Sequence, residues 1–393
     1  MGHKHGTEGR EMKSARNGAW LLVLCSVLAL TNACGRKASE VERSIEDGVE
    51  VVLNPVQPHR LPGRPHELSL EKEFSIDSET DAASAIGLGE ITAFAVDNAG
   101  YIYLLSQKSP ENFIHKFDPQ GRHILSFAPK GQGPGELILP SYLTAGPQGV
   151  AVTDLRTKLV LYGFSGELLN ESRIPGSASH VYLLNNGGFL VFDQAMDPSD
   201  QSMILSLKLM DSAWNEVKQL DSFKYPNPYA APRLPAINPF FVWSVSPQRI
   251  YVAKEKRGYE ILVFDHSGVL RRKIRKEFKS IPVPASYKEE VEQSWQQRLR
   301  DKLYFPSHFP PLQGLFAGDD DRLYIMTYEQ GGESGTHVFD VFDPEGVFMT
   351  RTDIPVRVEL GLLPAAAAGG RMYGIRVKAS GHKELVVYRM IWD

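Results

Sequence analysis

The sequence has very little cysteine. Its 393 residues include two, Cys25 and Cys34. Cys25 lies inside an apolar N-terminal run, so a chain cleaved after residue 33 would keep only Cys34. A fold held together by internal disulfides is therefore excluded for such a chain.

Concentrated charge is also lacking. The formal net charge is only −4, whereas nucleic-acid binding needs a concentrated positive surface, and we expect no nucleic-acid partner. After the N-terminal run, no apolar stretch approaches membrane length. The sequence contains no Gly-x-Ser-x-Gly elbow and no His-Glu-x-x-His helix. The glycines at 131, 133 and 135 are not followed by the Lys-Ser/Thr of a phosphate-binding loop, and we assign them to a connection between repeats.

The first 33 residues have the three-part layout of a signal peptide. Lys13 and Arg16 precede the apolar run at 20–30, and small residues follow it. A start at Met12 would give a compact basic head, which indicates that residues 1–11 precede the true start. The segment ending Leu-Thr-Asn-Ala-Cys34 resembles the lipobox of bacterial lipoproteins, and this implies a lipid on Cys34. The alternative is an ordinary secreted protein that is cleaved nearby. The expected location is the cell envelope, on the periplasmic or outer-membrane side.

Residues 34–66 predict a flexible tether between the lipid and the folded domain. They are polar and contain four prolines, at 55, 58, 62 and 65. Such a composition buries too little apolar surface to offset the entropy lost on ordering.

The remainder, residues 67–393, is built from a repeated hairpin. In each copy a turn rich in Gly, Asn, Asp or Pro lies between two strands of β-branched and aromatic residues. The first copy runs from Phe94 to Leu105, and its turn is 97–100. Equivalent turns lie at 146–149, 185–188, 246–248, 318–321 and 369–370.

A third strand follows each hairpin and ends in an aromatic-Asp-x-x-Gly turn. Clear copies are Phe117 to Gly121, Phe264 to Gly268 and Phe342 to Gly346. Six copies of such a sheet predict an all-β fold, a six-bladed β-propeller of four-stranded antiparallel blades, because radial repetition hides the sheet edges. The last copy lacks one strand. The alternating segment Leu68–Ile76 is free to complete it beside Leu385–Trp392.

Two insertions, 221–240 and 280–312, interrupt the spacing. The second includes a predicted helix around Ser286–Leu303, with an apolar stripe of four residues at four-residue spacing. The stripe comprises Tyr287, Val291, Trp295 and Leu299. Packing onto a blade is its simplest explanation, and a substrate lid is the alternative.

The segment from Phe127 through Lys-Gly-Gln-Gly-Pro-Gly-Glu136 to Asp154 resembles the NHL repeat and, more closely, bacterial exported six-bladed propeller proteins. The resemblance supports the fold and implies little about chemistry, since propellers host many functions. Related propellers include calcium lactonases and zinc amidating lyases.

The favoured hypothesis is a non-catalytic binding or interaction module, without a cofactor, presenting one face to a protein, peptide or glycan. Long loops carry most functional residues, and the candidates are Lys130, Glu136, Arg156, Trp295, Tyr304 and His308. The alternative is a metal-dependent hydrolase or lyase in the central funnel, where Asp97, Asp154 and Asp193 are candidates. The Asp319–Asp321 run predicts a solvated turn, with a calcium site as its alternative.

Overall fold

The computed structural model describes residues 40–393 except 61, 62, 64, 177, 228, 229, 238, 334 and 359–364. The chain divides into Met1–Glu40 and Val41–Asp393, and the second unit is the one described here. The predicted signal peptide and Cys34 lie outside the described residues. None of the helices within these residues is long and hydrophobic enough to traverse a bilayer.

Almost all of the regular structure is β. The helices are α1 (Asp81–Ala85), α2 (Ala285–Ser294) and α3 (Gln297–Arg300), with a 3₁₀ turn at Glu255–Arg257. In chain order the strands are β1 (Glu42–Glu46), β2 (Val49–Asn54), β3 (Leu68–Asp77), β4 (Ala93–Val96), β5 (Ile102–Leu105), β6 (Asn112–Phe117), β7 (His123–Pro129), β8 (Pro140–Gly146), β9 (Gly149–Asp154), β10 (Lys158–Tyr162), β11 (Leu168–Arg173), β12 (Ala178–Leu183), β13 (Phe189–Met196), β14 (Met203–Met210), β15 (Glu216–Tyr225), β16 (Leu234–Pro235), β17 (Phe241–Val245), β18 (Arg249–Lys254), β19 (Glu260–Asp265), β20 (Leu270–Lys276), β21 (Leu303–Tyr304), β22 (Gly314–Ala317), β23 (Leu323–Gln330), β24 (His337–Phe342), β25 (Phe348–Ile354), β26 (Ala365–Ala368), β27 (Arg371–Val377) and β28 (Lys383–Trp392).

Six antiparallel sheets form the ring, which confirms the predicted six-bladed propeller. Blades 1 to 6 begin with the inner strands β4, β8, β12, β17, β22 and β26. Blade 6 is completed by β3, whose Ile76 pairs with Leu385 and whose Leu68 pairs with Trp392. The ring is therefore closed by the N-terminal strand that was predicted to complete the last blade.

The hydrophobic core lies between the blades. Each of the six apolar clusters joins residues of two neighbouring sheets, and together the clusters account for all six interfaces. For example, Tyr103 and Phe127 of blade 1 pack with Leu143 and Val150 of blade 2. Burial of apolar surface between successive sheets holds the ring together.

The aromatic-Asp-x-x-Gly turn has the predicted role. Asp118 Oδ1 accepts hydrogen bonds from the backbone N–H groups of Gln120 and Arg122, both at 2.9 Å. Gly121 supplies the left-handed backbone, with φ of +79°. A carboxylate closes the corresponding turn in blades 3, 4 and 5, at Asp211, Asp265 and Asp343.

The two ends of the ring differ. We call the end that carries the first–second and third–fourth strand turns the turn face. The opposite end, which carries the second–third strand turns and the connections between blades, is the loop face. Both insertions lie on the loop face.

The predicted tether is wrong for residues 42–54, which form an ordered hairpin, the strap. Strand β2 pairs in parallel with β20 and extends blade 4 to six strands. Buried Asn54 ends the strap: its Nδ2 donates to the carbonyl of Gly346 at 2.9 Å, and its Oδ1 accepts from Phe348 N–H at 2.8 Å. The polar, proline-rich composition obscured the apolar alternation of Val49, Val51 and Leu53. These residues lie in β2, which pairs with the edge strand β20.

The insertions also differ in detail from expectation. Residues 221–225 belong to β15, so the first insertion starts after it. The predicted helix is two short helices, α2 and α3, separated at Trp295, whose ψ is 150°. The insertions meet through β16 and β21, which pair in parallel, and Arg233 lies over the Tyr304 ring at 5.0 Å.

Candidate functional site

A cavity of about 330 Å³ lies on the axis of the ring. All six inner strands line it, and the turns that follow them, at residues such as Asn98, Pro147, Asn185 and Pro247, surround its mouth. The cavity therefore opens on the turn face. We call it the funnel.

One side of the funnel is an aromatic wall made of Tyr142, His180, Tyr182 and Trp243, from blades 2, 3 and 4. The Tyr142 and His180 ring centroids are 4.2 Å apart, and His180 meets Trp243 edge-on at 5.6 Å. The hydroxyls of Tyr142 and Tyr182 are 2.7 Å apart and share a hydrogen bond. The wall thus combines large apolar ring faces with hydrogen-bonding edges.

The other side of the funnel, from blades 5, 6 and 1, carries small residues. Ala317, Ala95 and the run Ala365–Ala368 line it. These side chains cannot reach across the axis to the aromatic wall. The cavity therefore has an aromatic wall on one side and a stretch of small residues on the other.

The tyrosines of the wall remain protonated at neutral pH. Burial raises the pKa of Tyr142 well above its usual value, and the neighbouring Tyr182 reinforces the shift. Burial likewise raises the pKa of Tyr182, although its contacts with Tyr142 and Trp243 oppose part of the rise. The Trp243 indole Nε1 is buried without a hydrogen-bond partner of normal geometry. One hydroxyl of the Tyr142–Tyr182 pair donates to the other, so the proton of the second hydroxyl remains for a further partner.

The carboxylates at the funnel are engaged in the fold. Asp97 accepts hydrogen bonds from the backbone N–H groups of Ala99 and Tyr101 and from the Tyr103 hydroxyl, at 2.9 to 3.0 Å. Asp319 accepts one from the N–H of Gly369 at 2.8 Å. Each carboxylate therefore holds a turn in place.

Two of the three predicted funnel aspartates lie elsewhere. Asp97 does line the cavity. Asp154 is fully buried at the loop face, where it accepts hydrogen bonds from the N–H groups of Ile138 and Leu139. Asp193 lies within β13 and pairs with Lys208 at 3.3 Å. Asp154 ends the second strand β9 and Asp193 lies within the second strand β13, and second strands lie one position outward from the axis.

The predicted loop candidates lie on the loop face, opposite the funnel mouth. Lys130 lies over the Phe113 ring at 5.2 Å, and Glu136 accepts a hydrogen bond from Gly133 N–H at 2.8 Å. Arg156 is exposed in the β9–β10 turn. These three residues belong to neighbouring loops at blade 2.

The other three candidates belong to the second insertion. Trp295 is half-buried where α2 ends, Tyr304 is 38% exposed on β21, and His308 is exposed beside Ser307. Of the predicted stripe, Tyr287 packs edge-on against Phe309, and Leu299 is buried. Packing of the whole stripe onto a blade stays a prediction.

No group of three or more His, Cys, Asp or Glu side chains within the described residues could hold a metal ion. In the Asp319–Asp321 run, Asp320 pairs with Arg322, and Asp321 accepts a hydrogen bond from Ser246. The run is thus tied into its turn. A calcium site at this run stays a prediction, and the described part of the chain offers no set of ligands for it.

The sequence analysis missed the aromatic wall. The signal was present: Tyr142 stands two residues before Thr144 on one inner strand, and His180 two before Tyr182 on the next. Aligning the first strand of every repeat would have placed these residues on the axis.

Comparison with known proteins agrees with the fold. Residues 82–228 match a domain family described as a 6-bladed beta-propeller. A Bacteroides fragilis protein provisionally described as exported is similar in structure, with a TM-score of 0.49 and 13% identity over 87% of this chain and 99% of that one. A Bacteroides caccae protein of unknown function gives 0.34 and 16% over 67% and 82%.

BamB of Moraxella catarrhalis gives a TM-score of 0.34 and 10% identity over 77% of this chain and 84% of its own. No curated protein matches the chain in sequence. The structural similarities are remote, so the number of blades rests on the strand pairing and the family match. The NHL-repeat resemblance stays a prediction.

Proposed function

We propose that the protein is a non-catalytic binding module, exported and held at the cell envelope by a lipid on Cys34, whose funnel binds an uncharged glycan. The observation that carries the proposal is the aromatic wall of Tyr142, Tyr182 and Trp243, facing small residues across an open cavity. Membrane contact comes through the lipid.

The chemistry of the wall suits a neutral, partly apolar ligand. A sugar ring has C–H faces that pack on aromatic rings, and hydroxyls that bond to tyrosine, indole and imidazole edges. Among the described lining residues there is no Lys, Arg or Glu, and Asp97 and Asp319 are engaged in turns. The two carboxylates of the lining are already hydrogen-bonded within the fold, so a charged ligand would lack a free partner of opposite charge.

Catalysis is less well supported. The best Ser–His contact outside the funnel joins Ser109 Oγ to His115 Nε2 at 2.7 Å. Ser109 is fully buried and donates to the carbonyl of Gly87 at 2.7 Å, so its hydroxyl cannot meet a substrate. Burial, with a smaller contribution from His123, lowers the pKa of His115 to about 4, which keeps it neutral. This contact is structural.

The test is binding of the purified mature protein to an array of neutral oligosaccharides, charged oligosaccharides and peptides. Trp243→Ala should weaken binding of a neutral oligosaccharide roughly tenfold, the loss expected for one aromatic contact. Trp295→Ala is the matched control, because this half-buried tryptophan lies on the loop face, and its binding should be unchanged. Preferential binding of peptides or charged glycans, or normal binding by Trp243→Ala, would contradict the proposal.

A further inference from the structure

The third–fourth strand turn of blade 3 departs from the repeat at its glycine. In this turn the N–H of Trp214 donates to the carbonyl of Asp211 at 3.0 Å. The same bond is made by a glycine in blades 1, 2, 4 and 5, with lengths of 2.9 to 3.0 Å, at Gly121, Gly166, Gly268 and Gly346. Trp214 therefore occupies the glycine position of the repeat, with φ of +66° where the glycines have +78° to +86°.

In the other four blades this glycine packs closely on the preceding blade. A Cβ added at Gly121 would lie 2.7 Å from the ring of Phe74, and one added at Gly268 would lie 2.7 Å from the Leu209 side chain. The nearest side-chain atoms at the other two glycines are 2.9 and 2.8 Å away. Only a residue without a Cβ packs in this way. The turn that carries Trp214 must therefore meet blade 2 differently.

A second cavity, of about 270 Å³, lies between blades 2 and 3. It opens on the turn face, because residues of the first–second and third–fourth strand turns of blade 3 line it. Its most buried lining residues are Leu159 and Leu184, each 4% exposed. Half-buried apolar residues and then exposed polar residues complete the lining, at Leu161, Leu183 and Phe189, and at Gln148, Asn170 and Ser212. We call this cavity the cleft.

Trp214 connects the two sides of the cleft. Its indole stacks on Phe189 of blade 3, with ring centroids 4.4 Å apart and planes 14° from parallel. Its Nε1 donates to Ser172 Oγ of blade 2 at 3.3 Å, and both partners line the cleft. A left-handed backbone is unfavourable for tryptophan, whereas glycine adopts it freely. Strain of this kind is concentrated at binding and catalytic sites.

The size and chemistry of the cleft define the molecule that fits it. A cavity of about 150 Å³ with an aliphatic and aromatic lining holds benzene, so a volume of about 270 Å³ suits about eleven non-hydrogen atoms. Among the described lining residues there is no Lys, Arg, His, Asp or Glu. An ion would lose its hydration there without gaining an opposite charge. Because the cleft lies between two packed sheets, a flat molecule fits it better than a bulky one.

From the displaced glycine, the strained Trp214 and the uncharged lining, we infer that the cleft is a second binding site, separate from the funnel. Its ligand is an uncharged aromatic molecule of two fused rings that carries a hydroxyl group. The rings pack against Leu161, Leu183 and Phe189, and the hydroxyl bonds to a side-chain amide at the mouth. This inference does not depend on the glycan proposed for the funnel.

Calorimetric titration of the purified mature protein with 2-naphthol tests the site. This probe is an uncharged fused-ring alcohol at neutral pH. Naphthalene-2-sulfonate, with the same rings and a negative charge, is the matched control and should bind at least about tenfold more weakly. Absence of naphthol binding, or equal binding of the two compounds, overturns the inference.

Two variants locate the probe in the cleft. Leu161→Trp fills the cleft, and Trp214→Gly restores the turn residue of the other blades while removing the indole. Each should weaken naphthol binding roughly tenfold, the loss expected when most of the ring contacts are removed. Val217→Trp adds the same ring at a position that is 61% exposed outside the cleft, and its binding should be unchanged.

Circular dichroism shows which variants fold. Unchanged binding by either folded cleft variant overturns the inference. A misfolded Leu161→Trp leaves the decision to Trp214→Gly, because glycine suits the left-handed backbone at this position. Trp243→Ala distinguishes the two cavities: if this funnel variant loses naphthol binding and the cleft variants keep it, the probe occupies the funnel and the inference is wrong.

Discussion

The ammonium group of Lys276, on the outer strand of blade 4, lies 3.3 Å from the carboxylate of Asp340, in the third strand of blade 5, and neither side chain is exposed to solvent. Asp340 also accepts hydrogen bonds from the Tyr259 hydroxyl at 2.6 Å and from Arg351 Nε at 2.8 Å. Burial lowers the pKa of Lys276, and Asp340 opposes the shift. A charged network thus crosses the interface between two blades.

Lys276→Met should destabilise the protein by about 3–5 kcal/mol, because it leaves the buried Asp340 carboxylate without its ammonium partner. The measurement is the free energy of unfolding in urea. Lys72→Met, on the exposed surface of β3, is the control and should change stability by less than about 0.5 kcal/mol. Equal effects of the two substitutions would show that the buried pair is not a structural link.

The strap should come loose at acidic pH. Hydrogen bonding to Arg275 holds the pKa of Glu46 below its usual value of 4.5. For Glu50, burial raises the pKa, but hydrogen bonds from Arg272 and Arg43 outweigh it and the net shift is downward. A lowered folded-state pKa gives stability that is complete above 4.5 and is lost as the pH falls through the folded value.

Amide hydrogen exchange measures this release. Corrected for the intrinsic rate, protection of the β2 amides should fall below pH 4.5 while protection of β13 in blade 3 persists. Glu46→Gln should reduce the protection of β2 already at neutral pH. Simultaneous loss of amide protection in β2 and β13 would mean that the strap is no less stable than the ring.

Gly121→Ala tests the closure of the ring. Gly121 has φ of +79°, and a Cβ there would lie 2.7 Å from the ring of Phe74, on the closing strand β3. We expect a loss of about 2–4 kcal/mol, since backbone strain and a steric clash add. Gly187→Ala is matched in φ, at +82°, with open space around it, so it should cost only about 1–2 kcal/mol. Thermal unfolding compares them, and equal losses would rule out a tight contact with Phe74.

The β9–β10 turn is strained, because Leu155 and Arg156 have φ of +50° and +62°, and replacing both residues should stabilise the protein. The double variant Leu155→Asn and Arg156→Gly fits the left-handed backbone of this turn, and we expect a gain of about 1–2 kcal/mol in unfolding free energy. A destabilised variant would show that the Leu155 and Arg156 side chains contribute to the stability of the fold.

The architecture was predictable because it is repeated. Turn residues such as Gly121 and Asp118 recur at fixed offsets, and six copies average out the ambiguity of any single strand. The last repeat lacks one strand in the sequence, and this predicted that Leu68–Ile76 completes blade 6. The strap was not predictable, since Val49–Asn54 becomes a strand only when the edge of blade 4 is present to pair with it.

By itself, the sequence determined the repeat, the number of blades and the segment that closes the ring, because hydrophobic alternation and turn chemistry are local properties of the chain. Only the tertiary structure decided which side chains meet on the axis. Tyr142, His180 and Trp243 come from three blades and are up to 101 residues apart in the chain. Their meeting depends on the register and radial position of each inner strand, which no local pattern encodes.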